Sequence, residues 1–176
     1  MTFTFFSKKK MPIQTIEILM FTYLISTLGG YILDTLSVDY KFIASSFPVY
    51  SGLAVSIAFI YLHKTFTSST NNTFHDIKRT FKSLIAASFF MITIYSILSM
   101  FLHGIMPLYY YIMFTILFVI QVILLLKLVE KLILSFGNYH EDIGVISLPI
   151  ITACGDIIST VCLLLLALMV KMSKIF

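Results

Sequence analysis

The chain holds no tryptophan, two cysteines, four prolines and seven glycines, and only 11% of its 176 residues are charged. So small a charged share excludes an ordinary soluble domain, which carries about a quarter of its residues as Asp, Glu, Lys or Arg. The two cysteines, Cys154 and Cys162, lie eight positions apart inside one apolar segment, with no metal-ligand spacing around them. They exclude a disulfide framework and read as small core residues. There is no glycine-rich phosphate loop, no nucleophile elbow and no pair of histidines at zinc spacing, so neither an enzyme nor a bound cofactor is expected. No nucleic-acid partner is expected either.

What the chain has instead is apolar length. Hydrophobic residues make up 59% of it, and its mean hydropathy is +1.00. A bilayer core about 30 Å thick is crossed by roughly 20 helical residues. Five apolar runs meet that requirement, at about 13–33, 42–62, 83–102, 108–136 and 143–170. The expected fold is an all-α integral membrane protein, a bundle of about five transmembrane helices forming one domain, preceded by a basic tail over residues 1–12. Lys8, Lys9 and Lys10 ahead of an apolar stretch look like the start of a secretory signal, but the stretch that follows is too long for one.

Local signals mark the ends of these runs. Pro12 suits an early helix position, where its missing N–H would be unpaired anyway. Pro48 is expected to kink or restart the second helix. Residues 63–82 form the only extended polar stretch inside the chain and should lie in water. His103, Gly104 and Pro107 leave room only to reverse direction, so the third and fourth helices should be antiparallel neighbours. With no tryptophan present, Tyr109, Tyr110 and Tyr111 are placed to form the interfacial aromatic belt. The fourth run is long enough to tilt or protrude, and near its end Glu130 can pair with Lys127 or Lys131. Gly137 and Asn138 then stop that helix, and Glu141 and Asp142 form an acidic connection. The N-terminal lysines and the basic 64–82 loop predict a cytoplasmic N-terminus, with Lys171 and Lys174 running mildly against the rule.

An ionisable side chain in mid-membrane costs several kcal/mol and so usually faces a partner, water or an ion. Asp156 stands thirteen residues from Ile143 and fourteen from Val170, with no basic residue in its run before Lys171. It can hold a cation, relay a proton, or be protonated and hydrogen-bonded to a neighbouring helix. Thr152, Gly155, Ser159 and Thr160 surround it with hydroxyls and small side chains. Gly155 and Ser159 also form a small-xxx-small pattern that permits close helix packing. Glu17, five residues past Pro12, is an interfacial acid. Magnesium keeps several waters and takes one or two carboxylates, so one Asp156 per chain suits such a site when symmetry doubles it.

The run from Pro149 through Gly155-Asp156 to Thr160 resembles the fifth helix of the membrane domain of MgtE-type magnesium transporters, which carries a proline, small residues and a Gly-Asp or similar pair. Glu17 to Leu33 with Gly29 and Gly30 is similar to the family's first helix, and Pro48 with Gly52 to its second. Asp142 stands where the family has an acidic approach to the last helix. In the second helix Val55 and Ser56 replace the glycine-asparagine pair that the family carries. The resemblance implies a short form, the membrane domain only, working as a homodimer in a cell membrane, with the pore between the second and fifth helices. It further implies magnesium or another divalent cation as the transported ion, Asp156 as its ligand, and Ser56, Thr152, Gly155 and Ser159 as pore-lining positions. Asp142 and Glu17 would be accessory acids. Two rivals stand beside this expectation: a non-transporting membrane subunit or assembly factor, which the altered second helix favours, and a proton-coupled carrier.

Overall fold

A computed structural model of the chain describes residues 13–39, 41–68, 74–103, 108–136 and 143–173, all of them helical. The helices are α1 (Ile13–Asp39), α2 (Lys41–Ser68), α3 (Phe74–His103), α4 (Leu108–Phe136) and α5 (Ile143–Ser173). Each contains a stretch of 20 to 27 residues long and apolar enough to cross a membrane. The protein is thus all-helical, with the architecture of a multi-pass membrane protein. The basic tail 1–12, the turn at 104–107 and the acidic connection bearing Asp142 lie outside the described residues.

α2, α4 and α5 each touch the other two and enclose the core. α1 packs on α2 and α5, and α3 on α2 and α4, and among the described residues α1 and α3 do not meet. The side-chain contacts give the directions. Ser26 meets Asp156, and Gly29 lies beside Thr160, so α1 and α5 run parallel. Gln121 meets Ser159 and Leu117 meets Cys162, so α4 and α5 are antiparallel. Tyr95 bonds Ser46 while Tyr61 packs on Phe81, which makes α2 and α3 antiparallel. The result is an up-and-down bundle.

Aromatic contacts crowd one end of the core, and aliphatic residues with the Tyr61–Phe81 pair fill the other. Tyr50 packs its ring 5.1 Å from Phe114 and 5.1 Å edge-on from Phe118, locking the rotation of α2 against α4. Leu125, Leu126 and Val129 of α4 continue the core toward the other end. Of the tyrosine cluster expected as a surface belt, Tyr110 and Tyr111 are buried, and only Tyr109 faces outward. The helix start lies there, but two of the three rings serve packing between helices.

Several sequence expectations are adjusted by the helix ends. α2 and α3 run through most of the polar 63–82 stretch, with only 69–73 between them. α2 also passes continuously through Pro48. The carbonyl that Pro48 cannot bond is that of Ala44, just outside the membrane-spanning stretch 45–65, where water can satisfy it. Glu130 makes no ion pair with Lys127 or Lys131 among the described residues. Instead it accepts a 2.7 Å hydrogen bond from the Tyr61 hydroxyl, joining α2 to α4.

Candidate functional site

Asp156 sits midway along α5, half-buried where α1, α2 and α5 converge. Each carboxylate oxygen accepts a hydrogen bond from a different helix. Ser51 Oγ of α2 donates to Oδ1 at 2.7 Å, and Ser26 Oγ of α1 donates to Oδ2 at 2.8 Å. No Lys, Arg or His among the described residues forms an ion pair with it.

The local sequence produces this geometry in steps. Gly155 precedes the acid, and a Cβ there would fall on the Val55 side chain, so α2 and α5 approach as closely as they do only because that carbon is missing. Tyr50, wedged between Phe114 and Phe118, sets the rotation that aims the neighbouring Ser51 at α5. On the α1 side, Gly29 lies against Thr160, and the close approach brings Ser26, one turn earlier, to the carboxylate. Ser159 and Thr160 turn their hydroxyls back onto the carbonyls of Gly155 and Asp156, at 2.7 and 2.8 Å.

A second polar contact lies one turn along α5, toward α4. Gln121 is completely buried in α4 and donates from Nε2 to Ser159 Oγ, while its Oε1 finds no partner. Polar groups from α1, α2, α4 and α5 therefore meet at one level of the bundle. That level carries the only acid in the middle of a described span.

Chemically, an ionised carboxylate offers about four acceptor positions. Two are taken by the serines, and the serine oxygens keep lone pairs of their own. Three oxygen-bearing side chains from three helices form the kind of hard donor set that suits a hydrated alkali or alkaline-earth cation. One chain supplies a single carboxylate, and no group of three or more His, Cys, Asp or Glu occurs among the described residues.

The other expected site residues fall in different places. Gly155 and Ser159 adjoin Asp156, but Gly155 is committed to packing on Val55 and Ser159 to Gln121 and its own helix. Thr152 donates to the Leu148 carbonyl one turn back. Ser56 lies on the exposed side of α2, as does Gly52 one turn earlier, so the hydroxyl that α2 brings to the acid is that of Ser51. Glu17 is exposed at the rim of a groove between α1 and α5. Asp142 lies outside the described residues.

Sequence reasoning missed Ser26, Ser51 and Gln121. The available signal was depth: Ser26 and Gln121 stand near the middle of their own apolar runs, at the level of Asp156. Comparison of the chain with models of protein families finds no match, and neither do comparisons with curated proteins and with solved structures.

Proposed function

We propose that this protein moves a cation across a membrane at Asp156, with magnesium or another divalent cation as cargo, after the manner of the MgtE-type transporters that its last helix resembles. The observation that carries the reading is the acid itself. Asp156 is kept in mid-span by hydroxyls from two other helices and has no basic partner among the described residues, and an intramembrane acid so placed marks an ion path more often than a packing device.

The active form in this reading is a homodimer, since a divalent cation calls for a second carboxylate that one chain lacks. The exposed face of α2 that carries Gly52 and Ser56 is the side on which a second copy would pack. Orientation follows from charge. Lys64, Lys78, Arg79, Lys82, Lys127 and Lys131 are all exposed at one end of the bundle, against Lys171 at the other. That basic end, which also holds the start of α1, belongs in the cytoplasm.

A second reading, a non-transporting membrane subunit, is favoured by one specific observation. Val55, which stands where the family has its glycine-asparagine pair, fills the contact with Gly155, and both carboxylate oxygens are already engaged. Magnesium flux into liposomes, followed with an entrapped indicator, separates the two. Flux by the wild type that is lost in Asp156→Asn supports transport at this site. Folded protein without flux transfers the assignment to the subunit reading.

A further inference from the structure

α3 and α4 lie antiparallel, and contacts along the pair fix their register. Tyr95 stacks on Phe114 with ring centroids 6.0 Å apart. Toward the basic end, Tyr61 of α2 meets both helices at one level, packing on Phe81 and bonding Glu130. That register sets Lys82 of α3 level with Lys127 of α4, and Lys78 level with Lys131 one turn further out. All four lysines are exposed. Like charges set opposite each other across two packed helices repel. Among the described side chains of α3 and α4 the one acid is Glu130, and it is taken by Tyr61. The lysine rungs therefore call for negative charge from outside the pair.

Charge alone suits any anion, and the surface inward of the lysines narrows the choice. There α3 and α4 form an open groove of about 360 Å³, bordered by Phe89, Thr93 and Ile97 on one side and Ile112, Thr115 and Ile116 on the other. Thr93 and Thr115 spend their hydroxyls on the carbonyls of Phe89 and Tyr111, one turn back in their own helices, so the groove offers hydrocarbon. Lys82 stands two turns before Phe89 on the same face of α3, and Lys127 three turns beyond Ile116 on the same face of α4. Phe89 is about 10 Å inward of Lys82, within the roughly 15 Å depth of one leaflet. The lysines and the groove therefore form one continuous surface, cationic at the headgroup level and apolar below it.

We propose that α3 and α4 hold an anionic phospholipid of the leaflet at the basic end, its phosphate between Lys82 and Lys127 and an acyl chain along Phe89 and Ile116. Juxtamembrane lysines attract anionic headgroups, and basic pockets between spanning helices bind them individually. A zwitterionic lipid fills the groove equally well but brings its own ammonium group against the lysines. A soluble phosphate meets the lysines and gains nothing from the groove. The lipid bound here bridges the two helices where their own charges push them apart. The proposal rests on neither Asp156 nor transport.

Native mass spectrometry of the protein in a neutral detergent, with dioleoyl phosphatidylglycerol and dioleoyl phosphatidylcholine in competition, tests it. At about fivefold per contacted lysine, phosphatidylglycerol should be retained about 25-fold in preference. Lys82→Gln and Lys127→Gln should each remove about fivefold of that preference, and the two together nearly all of it. Lys64→Gln with Arg79→Gln removes the same charge from the same end, and Arg79 is turned about 100° around α3 from Lys78, so this control should keep most of the preference. Equal loss in the control would reduce the effect to diffuse charge and overturn the site. Equal retention of phosphatidylcholine would make the groove ordinary lipid boundary and overturn it too. Added glycerol phosphate should not displace the lipid, and displacement would assign the lysines to a soluble phosphate instead. Melts supply a second sign. Without anionic lipid the Lys82→Gln/Lys127→Gln variant should melt no lower than wild type, its repulsion relieved, and phosphatidylglycerol should raise the melting temperature of wild type alone. Should the double variant not fold, phosphatidylglycerol carrying a diazirine in mid-chain, photolysed with the wild-type protein, decides. Adducts within 86–97 or 112–123 that unmodified phosphatidylglycerol competes away support the site, and adducts elsewhere refute it.

Discussion

At the scale of single residues, the contact between Gly155 and Val55 makes the sharpest demand. A methyl group at Gly155 has no room, because it would fall on the Val55 side chain. Overpacking of this kind costs about 1–3 kcal/mol. Gly155→Ala should therefore lower thermal stability in detergent by that order, and Val55→Ala should restore most of the loss when combined with it. A strictly additive double mutant would mean that the helices are not in contact there. Asp156 makes the complementary case. Asp156→Asn keeps an acceptor oxygen for one serine and an amide that the other serine can accept from, so it should stay within about 1 kcal/mol of wild type, whereas Asp156→Ala strands both hydroxyls and should cost more. That difference, read by the same melts, lets a loss of flux in the Asn variant be assigned to charge and not to unfolding. The acid was legible in the sequence because charge in an apolar run is conspicuous. Its serine partners were not, because α1 and α2 are apolar on most sides and hydropathy alone does not say which way Ser26 or Ser51 turns.

At the scale of elements, apolar runs located all five helices, and the run at 108–136 coincides with α4 from end to end. The other ends were harder to read for a physical reason. The helices hold 27 to 31 residues, about 40–46 Å at 1.5 Å per residue, against a hydrocarbon core of about 30 Å. Hydropathy marks where lipid begins, and the helices continue past that point into polar sequence. The link between α2 and α4 at the basic end shows the same limit. Helical spacing pointed Glu130 at Lys127, and simple adjacency at Lys131, but an exposed pair of that kind is worth little, and the carboxylate is instead taken by Tyr61 of α2. Tyr61→Phe should then cost about 1 kcal/mol, while Lys127→Ala and Lys131→Ala each stay within about 0.5 kcal/mol. If the lysine variants were the damaging ones in the same unfolding assay, the Tyr61 contact would not be what joins these helices.

At the scale of the whole molecule, the bundle is uneven. Half of the membrane-spanning stretch of α2 is buried inside the protein, against 11% of that of α1, where Gly29 is turned fully inward. α1 buries few of its side chains yet lies closely along α5, and its seam holds by the Ser26 to Asp156 hydrogen bond, the approach of Gly29 to Thr160 and contacts with α2. In lipid such seams are held by close packing and interhelical hydrogen bonds, since apolar surface gains nothing by leaving the hydrocarbon for another helix. Wedging the seam should release α1 while α2, α3, α4 and α5 stay together. Gly29→Leu places a branched side chain where a bare Cβ would already lie 3.4 Å from the Thr160 hydroxyl. Spin labels at the exposed positions Leu28 and Val161 should then report a longer and broader α1 to α5 distance, while labels at Ile116 and Leu165 report an unchanged α4 to α5 distance. A change in both would mean that α1 is integral to the core. A change in the first alone would make α1 a separable arm whose docking closes one side of the Asp156 site, and any ion reaching that carboxylate would meet Ser26 as a movable ligand and Ser51 as a fixed one.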